Sequence, residues 1–119
     1  MTQIEKLVEH FFEHQTLLKM YHFQTKLYGA HKAVDAYLIL FAQNMDRFME
    51  AAQGEFGRLK NGKINISLTT VTEKTVDKEL KKFISILDKK IPHSCPDLLA
   101  IRDEMVADVQ QLRYLLTFK

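Results

Sequence analysis

Between Gln3 and Gln53 the chain has one glycine, Gly29, and no proline. Across the same span apolar residues recur in steps of three and four. The first series is Ile4, Val8, Phe11, Gln15, Leu18 and His22, interrupted by the polar Gln15 and His22; the second starts at the polar His31 and continues through Val34, Leu38, Phe41, Met45, Phe48 and Ala52. Each series marks one face of a helix. A single helix of that length would measure about 75 Å at 1.5 Å per residue. A compact domain of 119 residues has a radius of gyration of roughly 13–14 Å. The helix must therefore reverse, and Gly29 places a tight turn at Leu27 to Gly29. Helix A is expected over about 3–27 and helix B over about 30–58. Thr2 and Glu5 have capping-box spacing, so helix A starts at once.

The rest of the chain supplies two more helices. Gly54 and Gly57 loosen the end of helix B, and the polar, β-branched tract 60–69 reads as a loop. Thr70 and Glu73 repeat the capping-box spacing. Val76, Leu80, Phe83, Ile84 and Leu87 then give helix C, about 71–90. Both prolines, Pro92 and Pro96, sit in one short turn. Ser94 or Cys95 caps helix D, about 96–117, with Pro96 and Asp97 in its first turn. Leu98, Ile101, Met105, Val109, Leu112 and Leu116 line one face of that helix. The expected fold class is all-α, a single ferritin-like four-helix bundle over 1–119 with a longer B–C connection. An up-down-down-up bundle needs that connection to run roughly 30 Å. Ten extended residues at about 3.3 Å each suffice, and a plain hairpin stays open.

The bulk numbers narrow the class of protein. Hydrophobic residues make up 46% of the chain and charged residues 27%, enough for a core and a solvated surface. A net charge of +2 does not imply nucleic acid by itself. Cys95 is the one cysteine, which excludes an internal disulfide and suits a reducing compartment. The N-terminal residues carry charges where a signal peptide needs an apolar run. The longest apolar run, near Ala36 to Ala42, is far short of a membrane span. A soluble, cytoplasmic protein with no membrane partner is expected.

Five residues carry possible chemistry: His22, His31, Asp35, Asp46 and Glu50. Neutral imidazoles with carboxylates suit a divalent transition metal such as iron, with zinc or manganese as substitutes. A lone His22 would read as a hydrogen-bonded core histidine. Asp46 and Glu50, at i and i+4, repel by a few tenths of a kcal/mol, a sign that a cation would reverse. Taken alone, that pair fits a solvated surface near Arg47 slightly better. His31 and Asp46 lie about 22 Å apart along helix B, too far to share an ion within one chain. The chain thus offers two half-sites: His22, His31 and Asp35 at one end, Asp46 and Glu50 well down helix B. If they bind metal together, the protein is at least a dimer, with helix B antiparallel to its mate.

The pattern His22, His31-x3-Asp35 and Asp46-x3-Glu50 resembles that of the Dps-like mini-ferritins, the DNA-binding proteins from starved cells. The tract His22 to Gly54 looks still closer to small mini-ferritin-like proteins of phages and large DNA viruses. The resemblance is good over 15–57 and general over 70–118. It implies a ferroxidase that oxidises Fe(II) with peroxide or oxygen and stores the product in a hollow oligomer, often of twelve subunits. It also implies that His22, His31 and Asp35 of one subunit face Asp46 and Glu50 of its mate. For a viral member the compartment would be the host cytoplasm or the virion. Phe23 stands where the family usually has tryptophan, and the connection between the two histidines is shorter.

Two rival functions stay in view. One is a non-catalytic structural or interaction protein that keeps the bundle. The other is a DNA-compacting protein acting through Lys74, Lys78, Lys81, Lys82, Lys89 and Lys90 on helix C. Interspersed Glu73, Asp77, Glu79 and Asp88 favour an ordinary solvated face there. His93 and Cys95 make a two-residue metal signal in a turn. His10 and His14 have metal-ligand spacing without further support and are taken as surface or boundary residues.

Overall fold

Helix α1, Gln3–Gln24, begins where the Thr2–Glu5 spacing places it. Thr2 Oγ1 accepts the Glu5 N–H at 3.2 Å and donates to the Glu5 carboxylate at the same distance. That gives one otherwise orphaned helical donor a partner. The computed structural model describes residues 2–118. Within them lie three further helices: α2 (Tyr28–Phe56), α3 (Val76–Lys90) and α4 (Pro96–Leu115), and no strand.

The first reversal is not at Gly29. Helix α1 ends at Gln24, and Thr25 and Leu27 flank the break in ordinary extended backbone. The Thr25 N–H still donates to the Tyr21 carbonyl at 2.8 Å, while Thr25 Oγ1 accepts the Leu27 N–H at 3.2 Å. Threonine thus supplies the turn's bonds without a left-handed residue, and Gly29 falls inside the first turn of α2. Gly57, at φ +94°, is the one glycine with positive φ among the described residues, and it ends α2. Helix α3 starts later than the Thr70–Glu73 spacing suggests. A turn at Thr72–Thr75, held by the Thr72 N–H on Thr75 Oγ1 at 2.9 Å, precedes it. Cys95 stands at the N-cap of α4, with Pro96 in the first turn.

Helix pairing settles the connectivity. Helix α1 packs on α2 and α3, and α4 packs on α2 and α3; the backbones of the diagonal pairs stay farther apart, with no Cα atoms within 8 Å. Side-chain bonds give the directions. Gln3 reaches the Lys90 carbonyl and His14 reaches Glu79, so α1 and α3 are antiparallel. Asn44 bonds Asp108 and Arg47 bonds Glu104, so α2 and α4 are antiparallel too. The order is up-down-down-up. The connection from α2 to α3 is therefore a crossover along the bundle, the ferritin-like arrangement rather than a hairpin. It runs beside α1: Asn61 bonds the Glu5 carbonyl, the Ser67 N–H donates to Glu13, and Thr25 donates to Glu73.

Buried faces follow the apolar periodicity. Phe11, Phe41, Phe48 and Phe83 meet at mid-bundle, with Phe11 edge-on to the other three at centroid distances of 5.4–6.1 Å. Leu80 and Leu87 of α3 and Leu98, Met105 and Val109 of α4 complete the core. The radius of gyration is 14.4 Å, near that of a single compact domain of this length. No described helix is long and apolar enough to cross a membrane.

Candidate functional site

The tight α1–α2 link folds the end of one helix onto the start of the next. His22, near the end of α1, and His31, in the first turn of α2, are brought face to face by it. Their rings stack with centroids 4.0 Å apart and planes 14° from parallel. The His22 Nδ1–H donates to the His31 carbonyl at 2.9 Å, and the His31 Nδ1–H donates to the His22 carbonyl at 2.9 Å. A carbonyl oxygen only accepts, so both protons are fixed on Nδ1. In the neutral rings, both Nε2 atoms then carry lone pairs. Backbone carbonyls orient metal-binding imidazoles in the same way.

Asp35 lies one turn beyond His31, with Oδ1 3.9 Å from His22 Nε2. Two ligands of one ion, each about 2.0–2.2 Å from it, sit at most about 4 Å apart. The His22 side chain is almost buried and that of Asp35 is 47% exposed, so the cluster opens to solvent on its carboxylate side.

Asp46 and Glu50 are not brought to this cluster. Both are exposed farther along α2, with Asp46 about 16 Å beyond Asp35 at helical rise. Arg47, their neighbour on α2, turns to Glu104 on α4 at 3.2 Å. Neither carboxylate has an ion pair among the described residues. Arg58 lines the same shallow groove as Glu50 without bonding it. Among the described residues no group of three or more His, Cys, Asp or Glu is arranged to hold a metal ion. The five residues form two separate clusters within one chain.

His14 corrects the sequence reading. It is neither a surface nor a boundary residue but is 1% exposed, stacked on Phe83 at 3.7 Å. Its Nδ1–H donates to Glu79 at 2.8 Å, and its Nε2 accepts the Tyr37 hydroxyl at 2.8 Å. Burial holds its pKa below the usual value despite Glu79, and burial pushes Tyr37 well above its own. The ring is therefore neutral and the phenol protonated. The signal was present: Leu7, Phe11, His14, Leu18 and Tyr21 also step by four and three, and all are buried. His10 does lie at the boundary.

The other candidates separate. His93 is exposed and donates to the Asp88 carbonyl at 2.8 Å, whereas Cys95 is buried with Sγ 3.7 Å from Glu55. The α3 lysines are exposed. Lys81 pairs with Asp77 and Lys82 with Glu13, at 3.5 and 3.8 Å.

The fold and these clusters define an all-α bundle with an oriented imidazole pair at one end. The model of a family of unknown function, DUF5856, matches residues 22–116, and the chain belongs to that family. The matched span contains all five candidate residues. Neither the curated proteins nor the solved structures include a match to the chain.

Proposed function

We propose that the protein is an iron-binding mini-ferritin of the Dps-like kind, which oxidises Fe(II) at a site shared between two subunits. The observation that carries this reading is the reciprocal lock between His22 and His31, which leaves neither Nε2 in a hydrogen bond among the described residues and sets that of His22 3.9 Å from Asp35. A histidine kept only for packing has no need of a vacant nitrogen, and two stacked imidazoles with fixed tautomers suit a metal.

The second half of the site comes from a second copy. Along α2, the pair His31 and Glu50 and the pair Asp35 and Asp46 share one midpoint, between Leu40 and Phe41. A twofold axis through that point sets α2 antiparallel to its mate. His31 then faces Glu50 of the partner subunit, and Asp35 faces Asp46 of the partner subunit. The surface at the midpoint suits contact, since Ile39 is 58% and Leu40 40% exposed. Twofold symmetry builds this site twice per dimer.

Ferrous iron is the substrate here. The imidazoles of His22 and His31 and the carboxylates of Asp35, Asp46 and Glu50 hold it. Hard carboxylate oxygens favour the more highly charged ferric product, and open coordination positions admit peroxide or oxygen. The product is stored in a larger closed oligomer built from such dimers.

The test is Fe(II) binding without oxygen, followed by oxidation under air and under peroxide, with light scattering for assembly size. Asp46→Ala/Glu50→Ala should slow oxidation by more than about tenfold while the helical signal is unchanged. A wild-type protein that oxidises iron no faster than this variant would move the reading to a structural role for the bundle.

A further inference from the structure

The crossover between α2 and α3 has an odd surface. Leu59 is half-buried and Val71 buried, and between them every residue but the half-buried Asn61 is exposed. From Lys63 to Val71 there is no helix, turn or bend. Ile64, Ile66 and Leu68 alternate with Asn65, Ser67 and Thr69, and the three apolar side chains are 40%, 38% and 51% exposed. This is the period-two pattern of a strand, rich in β-branched residues, with no sheet among the described residues to join.

The backbone there is equally unmatched. Among the described residues, the one backbone N–H between Lys60 and Val71 with a protein partner is that of Ser67, on Glu13 at 3.0 Å. In an extended chain the N–H and C=O groups of successive residues point to opposite edges. If Ser67 turns toward α1, then Ile64, Ile66 and Leu68 present their N–H and C=O groups to the outer edge. Such an edge is a template for another strand.

We propose that this strap pairs with the same strap of a second copy, antiparallel and centred on Ile66. In that register Ile66 opposes Ile66 of the partner subunit, and Ile64 opposes Leu68 of the partner subunit. These are the residues whose backbone groups face outward, so each pair exchanges both ladder bonds. Asn65 falls opposite Ser67 of the partner subunit, which keeps polar with polar. Lys63 and Lys60 fall opposite Thr69 and Thr72 of the partner subunit, so no like charges meet. A slip of one residue would set apolar side chains against polar ones. The interface involves none of the five candidate metal ligands and stands whether or not iron binds. It also gives the bundle a second contact, and a closed assembly of dimers needs one beyond the first twofold interface.

Single cysteines test the register, with the buried Cys95 left in place and the unmodified chain as background. Directly opposed residues in a hydrogen-bonded antiparallel pair have Cα atoms about 5.5 Å apart, within disulfide range. Ile66→Cys should give a disulfide-linked dimer under mild oxidation. Ile64→Cys and Leu68→Cys should each link poorly alone and link well when mixed. Ile66→Pro, which removes an outward N–H, should lower the assembly size with helical content unchanged. Equal linking at all three positions, no linking at Ile66→Cys, or an Ile66→Pro assembly of wild-type size would overturn the proposal. Linking of Ile66→Cys to some other protein in place of itself would do so as well.

Discussion

His14 and His22 are both buried on α1, yet their nitrogens are used in opposite ways. His14 spends both, one on Glu79 and one on Tyr37, and so ties α1 to α3 and α2. His22 spends one, on the His31 carbonyl, and keeps the other free. The first pattern closes a structural network and the second leaves a donor for a ligand. Removing one member of a buried network strands the others, at about 1–3 kcal/mol per unsatisfied group. Tyr37→Phe should therefore cost about 1–3 kcal/mol in urea unfolding and leave the proposed iron oxidation unchanged. A cost near zero would mean that a water takes the place of the phenol. The same network makes stability depend on pH. Burial, with a smaller contribution from Lys82, holds the pKa of His14 below 6.5, and Glu79 offsets only part of this. As pH falls through about 6.5 the unfolded chain gains a proton that the native chain refuses. This contribution is full above that pH and declines below it. The melting temperature should thus fall on acidification from neutrality, and His14→Gln should flatten the slope. His10, shifted in the same direction, should leave a residual slope.

At the scale of elements, the α1–α2 turn separates two accounts of one glycine. If Gly29 made the turn in a left-handed conformation, Gly29→Ala would destabilise the fold. Gly29 instead lies in α2 with a negative φ, and a Cβ there meets nothing within 4 Å. Gly29→Ala should stabilise by about 0.5–1 kcal/mol. Gly57 has equal space but a φ of +94°, so Gly57→Ala should destabilise by about 1–3 kcal/mol. Melting curves of the two variants should move in opposite directions. The contrast also shows what was legible in the sequence. Helix number, faces and the Thr2 cap could be read because apolar spacing and local capping act within a few residues. The position of the first turn could not, because Thr25 closes it with hydrogen bonds that composition does not announce. The start of α3 moved for a similar reason, since four threonines between Thr69 and Thr75 offer several local caps and the fold uses the Thr72–Thr75 pair. His22, His31 and Asp35 were found together because they flank a single turn. The burial of His14 could be read from the seam of Leu7, Phe11, Leu18 and Tyr21, but its partners Glu79 and Phe83 lie on a helix more than sixty residues away, which no local pattern reports.

At the scale of the molecule, the proposed iron site requires both clusters, and they cannot meet inside one chain. His31 and Glu50 are separated by about 28 Å of α2, and the helix is continuous from Tyr28 to Phe56. No bend could join them without breaking the core around Phe41 and Phe48. Mixing variants turns this geometry into a count. His31→Ala damages the imidazole cluster and leaves Asp46 and Glu50 intact, while Asp46→Ala/Glu50→Ala does the reverse. Each homodimer then has two damaged sites. A mixed dimer has one site damaged on both sides and one site wholly intact. If equal amounts are unfolded, combined and refolded, half of the dimers should be mixed, so about a quarter of the wild-type oxidation should return. Two variants simply added together in the folded state should recover less, because exchange of subunits is limited by dissociation. Recovery that tracks refolding would assign the site to the interface. No recovery, from variants that both fold and dimerise, would mean that the carboxylates of α2 act in some other role than completing the imidazole cluster.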